Sequence, residues 1–360
     1  MAHDSDSERA RRERDRKAEE RRTRRESQDT ANRREMADAR VVQLTAERAL
    51  APPQPGWRRL GSSIAADARL VVAWAEAGFA QNERVAEDGS IQRWEVRTGE
   101  PSDLAVLVYG AEGVEQFTTI RHSTAKYPAV DLLPGGNVVV VDKRCGPLTD
   151  GTLPDNAYVY DVAGGQLRSF HVGDGVQTIQ CTPSGRIWVG YFDEGVFGNG
   201  RWRELLGRRP PSSTGLAQFN DQGDLEWSID DPSILQSIAD IYAVNVDDEI
   251  AWACPYTEFP IVQVDGGRIT SWATDVTGAD ALLVEGHAVA LVGGYEVFRN
   301  QRVVMGELTA KGFDRTEILR LAMPDGSQFD RKATVLGRGR SLVVVTDTGW
   351  HTLSINELIT

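Results

Sequence analysis

Residues 183–198, which read P-S-G-R-I-W-V-G-Y-F-D-E-G-V-F-G, decide the fold of this chain. Ser184 and Gly185 are typical of a tight turn, and the apolar run at residues 187–189 that follows them is typical of a buried strand. The run ends at Gly190, and residues 193–195 are again of the types that reverse a chain. The stretch therefore predicts a turn, a buried strand and a second turn, and we interpret it as the clearest copy of a repeated β unit.

A pattern of apolar strand, Gly- or Asp-containing turn and second apolar strand recurs along the chain. Its copies lie at residues 64–74, 130–141, 176–189, 241–253, 281–292 and 333–345. Each copy is followed by a weaker pair of strands, and the repeat of roughly 50 residues matches a four-stranded propeller blade. The sequence predicts an all-β fold, a six-bladed β-propeller of four-stranded antiparallel blades. The predicted blades are residues 62–121, 129–171, 176–228, 238–273, 279–321 and 331–353.

The predicted blades are not equivalent. The last one has room for only three strands, so we expect a fourth strand from the N-terminal side, near residues 57–60, to close the ring. Blade 1 carries an extra segment at residues 81–96, and blade 3 carries a polar excursion at residues 201–214. Both are insertions on blade connections, where binding loops tend to lie.

Residues 1–56 differ in composition from the rest of the chain. Residues 1–35 contain no hydrophobic residue larger than alanine apart from Met1, so they lack a face that could pack against a partner. Acid-before-base pairs at spacing i, i+4, such as Glu13 with Lys17, still favour a helix. The proline-rich linker at residues 51–56 ends any such helix. We predict a charged helical or disordered arm at residues 1–56, followed by the propeller domain at residues 57–360.

The charge of the chain is unevenly distributed. The formal net charge is -13, and residues 1–50 hold 14 Lys or Arg and 12 Asp or Glu out of totals of 40 and 53, which leaves 26 basic and 41 acidic residues downstream. Such an acidic body repels nucleic acid and anionic membranes. No apolar run approaches the length of a membrane span. We expect a monomer that has neither a membrane nor a nucleic acid as its partner.

Cys145, Cys181 and Cys254 are odd in number and far apart in the sequence. None of them belongs to a C-x-x-C pair. This pattern argues against a disulfide framework and a zinc site, and it favours a reducing compartment. We predict a cytoplasmic protein.

The string Gly185-Arg-Ile-Trp-Val-Gly190, followed by Gly195 and Val196, resembles the G-x-I-W-V-G-T-x-x-G-L blade repeat of bacterial sensory propellers. Those propellers occur in the periplasmic part of hybrid two-component regulators. The string is also similar to a blade of uncharacterised bacterial six-bladed propellers. The resemblance implies a propeller fold. It does not extend to the signalling role, because the chain has no kinase or receiver region and has a longer turn at residues 191–194.

No catalytic motif accompanies the repeats. The five histidines are scattered, none of them has metal-ligand spacing, and the sequence contains no phosphate-binding loop. We therefore predict a non-enzymatic module, without a cofactor, that binds a protein or a small ligand on one propeller face. The candidate binding residues come from the long turn and the blade 1 insertion and are Tyr191, Phe192, Asp193, Glu194 and Trp94.

An alternative function follows from three aspartates at or next to the starts of predicted inner strands. Asp131, Asp240 and Asp280 would lie around the central channel, where propellers hold ligands and metals. Their carboxylates suit Ca²⁺, which takes six to eight oxygen ligands. The arrangement would resemble the six-bladed lactonases and gluconolactonases, in which a channel metal polarises an ester carbonyl. The alternative is thus a Ca²⁺-dependent lactonase- or esterase-like hydrolase.

Overall fold

The computed structural model describes residues 30, 33–76, 79–85, 91–97, 100–198, 201–207, 209–235, 238–295, 300–330 and 332–359. Six sheets with four antiparallel strands each form the body, and one of them carries an additional parallel strand. The first strand of each blade contacts the first strands of the neighbouring blades, so these six strands form an inner ring. The predicted six-bladed β-propeller is confirmed.

In blades 1–5 the four antiparallel strands follow the chain from the inside of the blade to its outside, and in blade 6 the outermost strand comes from the N-terminal side. Blade 1 contains Arg58–Ile64, Leu70–Ala75, Ser102–Gly110 and Gly113–Ser123, and blade 2 contains Pro128–Leu132, Val138–Asp142, Ala157–Tyr160 and Gln166–Phe170. Blade 3 contains Val176–Cys181, Ile187–Tyr191, Leu216–Phe219 and Leu225–Ser228, and blade 4 contains Asp240–Asp247, Ile250–Tyr256, Ile261–Asp265 and Arg268–Trp272. Blade 5 contains Ala279–Glu285, Ala288–Gly293, Arg302–Thr309 and Gly312–Ala322, and blade 6 contains Thr334–Arg338, Ser341–Val345, Gly349–Ser354 and the N-terminal Arg48–Ala49.

The helices are short and lie between strands or near the ends of the chain. The α-helical segments are residues 33–38, Asp193–Phe197, Arg201–Leu206, Pro232–Leu235 and Ile355–Ile359, and the 3₁₀ turns are Pro134–Gly136 and Pro211–Thr214. The blade 1 insertion forms a separate hairpin of Phe79–Val85 with Ile91–Arg97. Among the described residues, no helix has both the length and the apolar character needed to cross a membrane.

The turn chemistry of residues 183–198 explains the first hairpin of blade 3. Gly185 has a φ of 91°, a backbone conformation that side chains disfavour, and its amide N–H donates to the carbonyl of Thr182. The strand Ile187–Tyr191 that follows is buried along its whole length. Trp188 packs edge-on against Trp227 of the outermost strand of the same blade, with ring centroids 5.3 Å apart. Trp188 is therefore a packing residue of blade 3.

The N-terminal side of the chain completes blade 6, as predicted. Arg48–Ala49 pairs antiparallel with Gly349 and Trp350. Leu50 is buried in the apolar cluster that includes Trp350 and Val343. Both ends of the chain therefore hold the last blade, and the ring closes without a break in its sequence of sheets.

The closing strand lies earlier in the chain than the prediction placed it. Residues 57–60 lead into Arg58–Ile64, the inner strand of blade 1, because this segment pairs with Leu70–Ala75. Arg40–Gln43 adds a fifth strand to blade 5 and runs parallel to its outermost strand. Residues 40–49, which the predicted boundary assigns to the arm, are therefore part of the propeller sheets.

Buried amide side chains connect the inner strands at the end of the channel where these strands finish. Gln180 of blade 3 donates to the carbonyl of Gly337 in blade 6 at 2.9 Å. Asn245 of blade 4 donates to the carbonyl of Leu282 in blade 5 at 2.6 Å and accepts from the amide of Gly339 in blade 6 at 2.9 Å. Backbone groups on the inner edges of the sheets are thus satisfied by side chains from other blades.

Arg338, at the end of the blade 6 inner strand, reaches three further blades. Its guanidinium donates to the carbonyl of Ile64 in blade 1 at 3.1 Å and to the carbonyl of Cys181 in blade 3. It also pairs with the carboxylate of Asp131 in blade 2 at 3.2 Å. Arg338 is 5% exposed and Asp131 is 0% exposed. This ion pair and its neighbours fill the channel with hydrogen-bonded side chains at the end where the inner strands finish.

We expect the substitution Arg338→Met to lower the free energy of unfolding by about 3–5 kcal/mol, because it removes the donor of the buried Asp131 carboxyl group and of two buried backbone carbonyls. The matched control is Arg340→Met, which removes an arginine two positions away whose side chain is 64% exposed and pairs with Glu285 at 3.2 Å. The control should cost less than about 1 kcal/mol. Urea unfolding of the full chain measures both changes. Equal losses in the two variants would contradict the assigned role of Arg338.

Candidate functional site

The inner strands surround a central cavity of about 430 Å³. This volume lies in the range of protein pockets that bind small molecules, roughly 300–1,000 Å³. Every blade contributes to the wall of the cavity through residues near the beginning of its inner strand. These include Arg59, Pro128, Gln177, Tyr242, Asp280 and Thr334.

The exposure of the wall shows which end of the cavity is open. Along the blade 3 inner strand, Gln177 is exposed, Thr178 is half-buried, and Ile179 and Gln180 are buried. The cavity therefore opens where the inner strands begin. Its other end meets the hydrogen-bonded side chains around Arg338, so the cavity has one mouth within the part of the chain that the structure describes.

Both blade insertions lie on the open face. In an antiparallel blade the second strand ends on the side where the first strand begins, and the connection to the third strand starts there. The hairpin Phe79–Val85 with Ile91–Arg97 follows the second strand of blade 1, and the helices after Tyr191 follow the second strand of blade 3. The predicted insertions thus share the face that carries the mouth of the cavity.

Two cationic side chains, Arg59 of blade 1 and Lys143 of blade 2, line the cavity. Neither side chain has a hydrogen bond or an ion pair with any described residue. Burial lowers the pKa of both groups, and the nearby charge of Asp347 partly offsets this effect at Arg59. Asp280 of blade 5 faces the same cavity. The site thus combines two cations with one carboxylate.

An aromatic cluster lies at the mouth beside blades 4 and 5. Tyr242 lines the cavity, and its hydroxyl is 2.7 Å from the hydroxyl of Tyr295. The rings of Tyr256 and Phe259 complete the cluster, with centroids 5.4–6.0 Å from that of Tyr242. Tyr295 is 54% exposed, so the cluster presents aromatic surface to solvent beside the cavity.

The predicted long turn after blade 3 is partly core and partly helix. Tyr191 is fully buried, and its hydroxyl donates to the carbonyl of Val172. Asp193 and Glu194 form the first turn of the helix Asp193–Phe197, where the predicted structure was a turn. The helix forms there because carboxylates are favourable in the first turn of a helix, next to its unpaired N–H groups.

Arg144 holds the start of this helix in place. Its guanidinium pairs with the carboxylate of Glu194 and lies over the ring of Phe192, 5.4 Å from the centroid. Asp193 and Glu194 remain exposed on the open face. Trp94, the remaining predicted binding residue, belongs to the strand Ile91–Arg97, and its side chain lies outside the described part of the structure.

The three aspartates of the predicted calcium site occupy different environments. Asp131 is fully buried, and besides Arg338 it accepts hydrogen bonds from the amides of Cys181 at 2.6 Å and Leu132 at 2.8 Å. Asp280 lines the cavity. Asp240 lies near the rim, where burial and then the charge of Asp193 raise its pKa to about 6. Within the described ranges, no three acidic, histidine or cysteine side chains are grouped as metal ligands.

One cysteine–histidine contact was not expected from the sequence. The Sγ of Cys145 is 3.8 Å from Nδ1 of His171, and both groups point to the carbonyl of Pro154. Burial and nearby carboxylates raise the pKa of the Cys145 thiol to about 12. A thiol with this pKa is protonated near neutral pH, so the pair lacks the thiolate that a cysteine nucleophile requires.

Sequence reasoning missed Arg59 and Lys143 as site residues. Lys143 directly follows the buried strand Val138–Asp142. A cation just after an apolar strand is typical of a strand end that is exposed to solvent. Arg59 lies in a stretch that the prediction assigned to the outside of blade 6. A correct position for the inner strand of blade 1 would have placed Arg59 at the channel.

Some solved structures of other proteins show limited similarity to this chain. No protein family model and no curated protein sequence matches the chain. Virginiamycin B lyase from Staphylococcus aureus, solved with quinupristin, is 11% identical with a TM-score of 0.42 over 86% of this chain and 99% of that chain. A proposed 6-phosphogluconolactonase from Bacteroides uniformis is 11% identical with a TM-score of 0.41 over 77% and 89% of the two chains. The extracellular domain of a proposed one component system from B. thetaiotaomicron is 12% identical with a TM-score of 0.41 over 86% and 40%.

The pH dependence of stability tests the environment of Asp131. Burial raises its pKa to about 6 from 3.8, although Arg338 and two backbone amides act in the opposite direction. The folded state therefore binds this proton more tightly than the unfolded state, and stability falls as pH rises from about 3, below the unfolded pKa, to about 7, above the folded pKa. The shift corresponds to about 3 kcal/mol.

We expect the stability of the wild type relative to Asp131→Asn to fall by roughly that amount between the two pH values. Urea unfolding of both proteins at each pH measures the difference, and contributions from other titrating groups, including Asp240, cancel between them. A difference that stays constant with pH would contradict the raised pKa of Asp131.

Proposed function

We propose that the protein is a non-enzymatic, monomeric binding module whose central cavity takes a small ligand. The single-mouthed cavity of about 430 Å³ carries this proposal. Its position on the same face as both blade insertions supports it, because inserted loops on a rigid scaffold are the usual place for binding residues. The exposed aromatic surface at Tyr295 lies on the same face and would add contacts to a bound molecule.

The chemistry of the site favours binding over catalysis. The one cysteine–histidine contact in the described residues has a protonated thiol at Cys145. Asp131 and Asp280 do not form a pair of carboxyl groups at the cavity. Asp131 is paired with Arg338, and of the two only Asp280 lines the cavity. No nucleophile with an adjacent base lines the described wall of the cavity. We also propose a cytoplasmic location, which the free and buried state of all three cysteines supports.

A blocked mouth tests the binding proposal. Gln177 is exposed at the open end of the cavity, so we expect Gln177→Trp to cover the mouth without entering the core. Wild-type protein is equilibrated with a small-molecule extract of cells, and bound masses are read by native mass spectrometry. We expect a bound small molecule in the wild type and at least about a ten-fold loss of occupancy in the variant.

Gln166→Trp is the matched control for this experiment. Gln166 is exposed on the outermost strand of blade 2, so the same substitution there leaves the cavity unchanged. Retention of the ligand by Gln166→Trp and its loss from Gln177→Trp would support the proposal. A wild-type protein that retains no small molecule, or equal retention by both variants, would overturn it.

The calcium-dependent hydrolase stays an alternative prediction. It depends on Asp131, whose oxygens already accept hydrogen bonds from Arg338 and two backbone amides. We therefore expect millimolar Ca²⁺ to leave the melting temperature unchanged, because a ligand that binds the folded state would raise it. Differential scanning calorimetry with Mg²⁺ as the control ion measures the effect. A Ca²⁺-specific rise that Asp280→Asn removes would favour the hydrolase.

A further inference from the structure

We propose that the ligand of the central cavity is a small organic anion, held through a carboxylate or phosphate group by Lys143 and Arg59. This inference rests on the proposed function and specifies its ligand. It is carried by the two cationic side chains in the cavity wall, neither of which has a protein partner among the described residues.

Lys143 is fixed at its backbone and free at its ammonium. Its amide N–H donates to the carbonyl of Tyr127 at 3.1 Å, and its carbonyl accepts from the amide of Val176 at 2.9 Å. The backbone is thus held between blades 2 and 3, and the residue lines the cavity. Lys143 is half-buried, and burial lowers the pKa of its ammonium. An anion in the cavity would offset this loss of hydration.

Arg59, on the neighbouring blade, is also a cationic side chain without a protein partner among the described residues. Its Nη1 is buried and has no hydrogen-bond partner. The nearby carboxylate of Asp347 acts on it only through its charge and forms no ion pair with it. A guanidinium has five donors in a planar fork that matches the oxygens of a carboxylate or a phosphate. Arg59 and Lys143 together therefore offer unused donors from two adjacent blades.

The local charge is opposite to that of the chain. The described wall carries Arg59 and Lys143 against the single carboxylate of Asp280, whereas the whole chain has a formal net charge of -13. Asp280 belongs to blade 5, which lies across the ring from blade 2. The cations are therefore concentrated on one side of the cavity. In a low-dielectric cleft this separation attracts an anion to that side.

Neutral polar groups complete the wall next to Arg59. Ser62 and Ser63 follow it on the blade 1 inner strand and line the cavity. The hydroxyl of Ser63 is buried, and it has no hydrogen-bond partner in the protein. Thr178 contributes a further hydroxyl from blade 3. These groups suit an anion that carries additional oxygen atoms, and this argues against a purely apolar ligand.

Isothermal titration calorimetry tests the inference with two probes, inorganic phosphate and succinate, at an ionic strength held constant with sodium chloride. We expect saturable binding of at least one probe, and the stronger one identifies the head group. Lys143→Met and Arg59→Gln should each raise the dissociation constant at least about ten-fold, as expected for the loss of a charge-assisted hydrogen bond. Lys311→Met, which removes the same charge from an exposed turn of blade 5, should change it less than about two-fold.

The melting temperature of the free protein separates binding from a structural role. Because the Lys143 ammonium is unpaired, Lys143→Met should melt at or above the wild-type temperature when no anion is present. A binding defect in a variant of unimpaired stability supports the inference. Lys143→Gln repeats the test with a polar side chain of similar length, should the methionine variant be unstable.

Failure of the inference and failure of the proposed function give different results. If neither probe binds the wild type, or if Lys143→Met and Lys311→Met behave alike, the anion inference is overturned. If the extract experiment still shows a neutral small molecule that Gln177→Trp loses, the proposed function stands without it. If the wild type retains no small molecule from the extract, the proposed function itself is overturned.

Discussion

The buried ion pair of Arg338 with Asp131 is the interaction on which the ring most depends. A propeller blade ends at its inner edge in a strand whose backbone groups face the channel and need partners. Arg338 supplies donors to blades 1 and 3 and a counter-charge to blade 2. One side chain therefore ties blade 6, the last to be added along the chain, to the first three blades. The N-terminal strand Arg48–Ala49 ties the same blade from outside.

The same network determines where a ligand can enter. Gln180, Asn245 and Arg338 occupy the end of the channel at which the inner strands finish, and all three are buried. Space is left only toward the beginnings of these strands. The antiparallel order of the blades directs the insertions of blades 1 and 3 to that side as well. The position of the cavity mouth and the position of the inserted segments thus have one cause, the direction of the inner strands.

The architecture could be predicted because it depends on local sequence. Turns such as Ser184-Gly185 and runs such as Val138–Asp142 mark each hairpin, and the predicted blade limits agree with the observed ones to within a few residues. The closing strand was misplaced because Arg48–Ala49 is too short to have a pattern and is fixed by the last blade. The helix after Tyr191 was missed because Arg144, far away in sequence, holds its first turn.

The site could not be predicted in the same way, because its character depends on which distant residues meet. Arg338 lies in the string G-R-G-R, which looks like an exposed turn, and Asp131 looks like a solvated strand start. Because they pair with each other, both residues are buried. Asp131 is therefore already engaged, although the sequence suggested it as a Ca²⁺ ligand in the channel. No local sequence pattern indicates that the side chain of Asn245 accepts a hydrogen bond from the amide of Gly339 across the ring.

The cations of the channel differ in whether the protein supplies a partner for their charge. Arg338 has a carboxylate and two carbonyls around its guanidinium, so its burial is offset within the protein. Arg59 and Lys143 are half-buried in the wall of the cavity, and no described acceptor pairs with their charges. The unmatched pair at the open end is the observation on which the proposed anion site rests.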